Sequence, residues 1–212
     1  MPTYSESPSE ELKPLPTAWF ATANQGDTPR ALYARLLGSS WLKVAEPIRF
    51  AHASGSTVRA RGRLRIAHGR SYVARFLARF LRLPRASDAA ETRLVITSGA
   101  DGERWLRTFD DRRLDTRQYQ AGNCELAERI GVLEFRFRLE ASEGSLLFGQ
   151  LEAAFLCGPV RLRLPAAWAP SIEAREDPAG PHQICVHVRV ALPSLGPVLT
   201  YDGTIDIEDT RA

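Results

Sequence analysis

Three residues at alternate positions, Trp105, Arg107 and Phe109, carry the most pointed chemistry in this chain. In an extended strand they share a face, because successive side chains alternate sides, and a guanidinium between two aromatics is not an ordinary solvated group. Either a buried acid answers Arg107, with Glu128 and Glu173 as the candidates, or it receives the carboxylate or phosphate of a ligand. Near the C-terminus Leu199, Tyr201, Gly203, Ile205 and Ile207 also share a face. Tyr201 there offers its hydroxyl inward, and Gly203 permits a bulge or a close backbone approach.

Acid/base chemistry needs only a carboxyl or imidazole in a dry pocket, and Glu128, Glu134, Glu152, Glu173 and His187 are open to that role. Spacing selects none of them, and a solvated strand residue paired with a neighbouring arginine is the ordinary alternative. Covalent catalysis finds no support: no serine or cysteine sits in a Gly-x-Ser-x-Gly elbow, and Ser145 after Gly144 reads as turn chemistry. Metal ligation fares no better. His52, His68, His182 and His187 include no pair at helical ligand spacing, and the three cysteines, Cys124, Cys157 and Cys185, are too scattered for a zinc or disulfide framework and are expected as buried apolar residues. No cofactor and no metal are expected.

The elements that must position these residues follow from periodicity. A first helix is expected from Asp27 or Thr28 as N-cap and Pro29 at its first position, with Leu32, Tyr33, Leu36 and Leu37 on one face before Gly38. A second starts at Pro47 and ends before Gly55, burying Ile48 and Phe50 near Trp41. From Val58 the period becomes two, with Ala60, Gly62, Leu64 and Ile66 on one side and Arg59, Arg61, Arg63 and Arg65 on the other. That arginine row is expected to face solvent, since isolated buried charge is costly.

A third helix, Ser71 to about Leu83, sets Tyr72, Val73, Phe76, Leu77, Phe80 and Leu81 against Arg75, Arg79 and Arg82. It reads either as a helix packed by its apolar side on a sheet, gating whatever the sheet encloses, or as an interfacial helix on anionic lipid. Strands then follow: 91–98 and 103–109 about a Gly99-Ala100-Asp101-Gly102 turn, then 114–120, 133–140, 146–156, 160–164, 172–176, 183–191 and 198–207. Many strands joined by short turns give an α+β chain, mainly antiparallel β: a curved sheet or closed barrel of about 8 to 10 strands with two or three short N-terminal helices. Residues 28–212 form one domain, and residues 1–27, rich in Ser and Pro, a flexible tail that Trp19 and Phe20 anchor.

Composition bounds the partners. The chain has 212 residues, and its net charge of +3 arises from 28 cations against 25 acids, a balance that argues against nucleic acid. Only Lys13 and Lys43 are lysines. No apolar run reaches the roughly 18 residues of a spanning helix and no basic, apolar leader opens the chain, so a cytoplasmic location is expected.

Several segments in order resemble a bacterial family, domain of unknown function 4166. They include Leu32-Tyr33-Ala34-Arg35-Leu36-Leu37-Gly38, the helix from Ala74 to Pro84, and Trp105 and Phe109 around Arg107. Further on come Glu128-Arg129-Ile130-Gly131, Ile172-Glu173-Ala174-Arg175-Glu176, Leu192-Pro193-Ser194-Leu195-Gly196 and Tyr201-Asp202-Gly203. The resemblance brings no catalytic residues with it. Similar domains are often fused behind a nucleotide-dependent reductase or epimerase-like domain, which implies an accessory or substrate-holding role. This chain has no Gly-rich dinucleotide fingerprint, so any such reductase is expected as a separate polypeptide.

The leading expectation is a cavity that holds a hydrophobic or amphipathic, lipid-like molecule. Its polar contacts would be Arg107, Tyr201, Trp105, Glu128 and Glu173, and its gating or membrane-facing helix would carry Tyr72, Phe76, Phe80, Arg75 and Arg79. The alternatives are an isomerase or cyclase using a buried Glu or His in the same cavity, and a peripheral membrane or protein-interaction domain built on the cationic helix.

Overall fold

In a computed structural model, residues 31–53, 55, 57–80 and 83–208 are described, the side chains of Leu77 and Phe80 excepted. The tail expected at 1–27 and the capping residues Asp27, Thr28 and Pro29 lie outside the described residues. Helix α1 (Leu32–Leu37) begins three residues past the expected proline, because Ala31 is extended at its N-cap with ψ 140°, and it ends at Gly38 with φ 56°. A 3-10 helix over Gly38–Lys43, absent from the sequence reading, leads to α2 (Glu46–Ala51), whose Pro47 sits in the first turn. Tyr33, Leu36, Val44, Ile48 and Ala51 are buried, and the segment is pinned by Ala45 N donating to Gly144 O at 2.8 Å.

Eleven antiparallel strands follow: β1 (Thr57–His68), β2 (Ser87–Gly99), β3 (Gly102–Phe109), β4 (Arg112–Gln120), β5 (Glu125–Ile130), β6 (Leu133–Ser142), β7 (Ser145–Cys157), β8 (Val160–Arg163), β9 (Ser171–Gly180), β10 (Gln183–Leu192) and β11 (Gly196–Glu208). Their order is sequential around a ring in which β7 pairs with both β6 and β9 while β1 pairs with β11. Ten strands thus close an up-and-down barrel, and β8 extends β7 beyond it. Closure removes the sheet edges that would otherwise invite association.

Glycines make the closing seam possible. A Cβ on Gly62 would lie 2.1 Å from the Thr204 carbonyl oxygen and 2.8 Å from the Ile205 Cα, and Gly203 holds φ 150° with its own Cβ position 2.5 Å from Arg63 O. The two strands therefore cross more tightly than any side chain allows. β5 was the strand missed in the sequence, since Glu125-Leu126-Ala127-Glu128-Arg129-Ile130 has helical composition. Its alternation fails because Leu126 and Ala127 are both buried.

Inside and outside separate cleanly. Arg59, Arg61, Arg63 and Arg65 are exposed as expected. A second outer-face network joins Tyr119, Glu134, Glu152, Arg136 and Arg161, with Arg161 Nε 2.6 Å from Glu134. The two ends of the barrel differ. The N-terminal helices close the end that carries the β2–β3, β4–β5, β6–β7 and β9–β10 turns. The remaining turns, α3 (Tyr72–Phe80) and the β7–β8–β9 segment hang from the other end.

Two expectations are corrected here. α3 packs on β1 and β11 through Ala74 and Ala78, at 0% and 1% exposure, whereas Tyr72 and Phe76 stand out at 85% and 65%. Small residues win the packed face because α3 lies close against the seam strands: a Cβ on Gly69 would meet both Pro197 O and the Ala74 Cβ. Phe80's side chain, Leu81 and Arg82 lie outside the described residues. The cysteines are not core either, for Cys124, in left-handed backbone at a turn, and Cys157, at a strand end, are exposed. No helix among the described residues is long and apolar enough to cross a membrane.

Candidate functional site

The inward-facing positions of the ten strands enclose a cavity of about 610 Å³, within the range of small-molecule sites. Leu64, Leu94, Ile96, Phe135, Phe137, Ile184 and Val186 line its wall. Polar groups gather towards the plugged end, where α2 delivers His52 to the lining and β3 delivers Glu103, which does not itself line the cavity, against the His52 ring. Facing the opposite end the lining is apolar, through Leu114, Ile130, Leu133, Ile172 and Leu192, and the cavity reaches solvent beside the exposed Val132.

His52 is fully buried and held between two carboxylates, with Nδ1 3.3 Å from Glu103 Oε2 and Nε2 3.1 Å from Glu176 Oε2. Burial alone would favour the neutral ring, but Glu176 and Glu103 outweigh it through charge and hydrogen bonding and raise the pKa from 6.5 to about 9. Both ring nitrogens are then donors, one to each acid. Trp105 Nε1 also donates to Glu103 Oε2 at 2.9 Å, and the Tyr33 ring stacks on His52 with centroids 3.7 Å apart. The Tyr33 hydroxyl donates to Gln118 Oε1 at 2.5 Å. Burial, then Glu103, Glu176 and Glu128, hold Tyr33 protonated well above the usual tyrosine range. Glu103 Oε1 is buried with no hydrogen-bond partner among the described residues.

Arg107 reaches back along β3 towards this floor. Its Nη1 donates to Thr116 Oγ1 at 3.0 Å and to Glu128 Oε1 at 3.2 Å, and the guanidinium lies 4.5 Å from the Trp105 ring centroid. Burial opposes its charge, but Glu128 and Tyr201 more than offset this and secure the cation. Burial likewise raises the Tyr201 pKa, against the lowering pull of Arg107. The Tyr201 ring lies 5.5 Å from Phe109.

Of the residues singled out in the sequence, Arg107, Trp105, Tyr201 and Glu128 all meet in this cavity. Glu173 does not: it sits on the outer face of β9, where Arg189 Nη1 approaches to 3.2 Å. Glu134, Glu152 and His187 also face outward, so Glu128 alone of the five acid/base candidates reaches the lumen. A shallow outer groove of about 550 Å³ runs beside Arg138, Glu173, Arg175 and Arg189, among charges met by neighbouring acids such as Asp177. It lacks the enclosed apolar wall of the lumen.

His52, Glu103, Glu176, Gln118 and Tyr33 were missed. One signal was available for two of them: stepping the Trp105 face back by two gives Glu103, and stepping Ile172 and Ala174 forward by two gives Glu176. Nothing local marks His52, which a short helix carries into contact with strands distant in sequence.

The family profile described as Domain of unknown function (DUF4166) matches residues 44–205, about three quarters of the chain. The chain belongs to this family. No curated protein and no solved structure matches it. The DUF4166 match spans α2 through most of β11, and so takes in every residue that lines the lumen.

Proposed function

We propose that this DUF4166 barrel binds one elongated, largely apolar small molecule whose polar end rests against the floor. The observation that carries this reading is the enclosed cavity of about 610 Å³, apolar along its wall and polar at one end. Closed barrels near this strand number hold a single ligand when side chains do not fill the lumen. Support from fold is by analogy; the polarity of the lining is the physical argument.

The polar end also bears on the head group. Three carboxyl groups, Glu103, Glu128 and Glu176, face two cations, His52 and Arg107, and Glu128 already engages Arg107. A carboxylate or phosphate head would meet an acid in excess and an arginine in use. A hydroxyl or other hydrogen-bond donor fits better, since it can be accepted by a floor carboxylate without adding charge.

Native mass spectrometry of the protein as purified, with organic extraction of any passenger, tests the proposal. A stoichiometric lipid-like molecule is expected. Titration of the lumen-lining Trp105 fluorescence with a long-chain alcohol and the fatty acid of equal length should show the alcohol binding more tightly. An empty protein that takes up neither compound overturns the reading.

One observation favours a second reading. His52 and Glu176 both line the lumen, so the cavity holds an acid/base pair of the kind an isomerase or cyclase needs. In that case Glu176→Gln removes turnover of a bound passenger while leaving its binding intact.

A further inference from the structure

Ten large apolar side chains are exposed among the described residues, and eight of them belong to the open end of the barrel. Three stand on α3, and the rest lie in the 131–132 turn, at the end of β7, on β8 and in the loop to β9, where Trp168 is 76% exposed. Chance scatter would not place them around one mouth, and apolar surface concentrated in this way marks a docking face. Leu162 and Phe155 are register partners on the β7–β8 extension, and Leu133 pairs with Phe155 in turn, so the apolar wall of the lumen continues outward past the rim.

Charge identifies the occupant. Between His68 and Asp88 the chain carries five arginines, at 70, 75, 79, 82 and 85, and no acid. One of these, Arg85, meets Asp111, which also faces Arg112, while Asp88 faces Arg65 and Asp110 accepts from the Glu91 amide. No ion pair joins Arg70, Arg75 or Arg79 to an acid among the described residues. Arg75 instead lies over the exposed Tyr72 ring, 4.7 Å from its centroid. Exposed aromatics interleaved with unpaired arginines on a short helix match the interface of an anionic bilayer, with rings at the acyl boundary and guanidinium groups at the phosphates.

We propose that the open end of the barrel docks on anionic membrane, so that the cavity faces the bilayer and exchanges its occupant with it. The docking surface stands on the rim residues; the exchange step rests on the cavity-binding reading above. α3 is fixed in place by its alanine face and by Gly69, so docking requires no rearrangement.

Co-sedimentation of the full chain with equimolar phosphatidylglycerol and phosphatidylcholine vesicles tests this. Binding is expected that weakens with salt and is lost on pure phosphatidylcholine. Replacing Arg70, Arg75 and Arg79 together by Gln should lower vesicle affinity on the order of a hundredfold, from about a fivefold loss per arginine. Tyr72→Ser with Trp168→Ser should lower it further, with the far-UV spectrum unchanged because all these groups are exposed. Absent vesicle binding, or binding indifferent to both sets of substitutions, overturns the proposal, including the case in which a protein partner is found to occupy the face. Uptake of a long-chain alcohol from detergent solution separates the two readings. A chain that loads there but never meets vesicles refutes docking alone, and one that docks yet never loads refutes the cavity reading and the exchange step.

Discussion

His52 ties the stability of the barrel to pH in a direction that can be worked out in advance. Its pKa is raised from 6.5 to about 9 in the folded protein. Between those values the unfolded chain has released the proton that the native state keeps. The native state then binds more protons, and stability falls as pH rises. The contribution is fully present below about pH 6.5 and is gone above the folded value. A shift of that size corresponds to about 3 kcal/mol at 1.36 kcal/mol per pH unit, a large part of the 5–15 kcal/mol typical of a domain. Urea unfolding from pH 6 to pH 10 should show this decline, and His52→Gln should flatten it. The variant should be less stable than the parent by about 3 kcal/mol near pH 6 and should converge on it in alkali. An NMR titration of the ring gives the folded pKa directly. If His52→Gln keeps the slope, or the parent shows none, the two carboxylates do not hold the imidazolium and the account of the floor is wrong.

Other outcomes follow from the same geometry. Glu128→Gln leaves the Arg107 guanidinium without a carboxylate, with Thr116 and the Trp105 ring as its remaining partners, and should cost about 2–4 kcal/mol in urea unfolding, whereas Arg107→Met with Glu128→Met should recover most of that loss. Gly62→Ala forces a Cβ against Thr204 O and the Ile205 Cα, both backbone, and should destabilise by at least about 3 kcal/mol, read as a fall in Tm. Ala174→Phe, on the inner face of β9, should shorten the apolar channel and displace any passenger seen by native mass spectrometry, at a modest cost in stability.

Periodicity made most of the barrel legible. Alternation from Val58 to Ile66 and from Leu199 to Ile207 marked two strands that pair along the seam, and Trp105, Arg107 and Phe109 gave the inner face of β3. Strand β5 was hidden because its composition is helical and its two buried neighbours break alternation. Helix α3 misled for a different reason: Tyr72, Val73 and Phe76 suggested the packed face, but among its described side chains Ala74 and Ala78 are the ones that meet β1 and β11. The floor of the cavity was the least readable part. Glu103 and Glu176 are strand residues like many others until the ring closes, and only tertiary structure brings His52 between them.

The sequential strand order also gives the molecule a front and a back. β1 starts and β11 finishes beside one another, with Arg59 opposite Glu208, both at the plugged end. The chain therefore enters the barrel at β1 and leaves it at β11 on the side of the floor, away from the rim. Among the described residues the mouth is thus framed by inter-strand segments alone, and neither terminus of the barrel stands in its way.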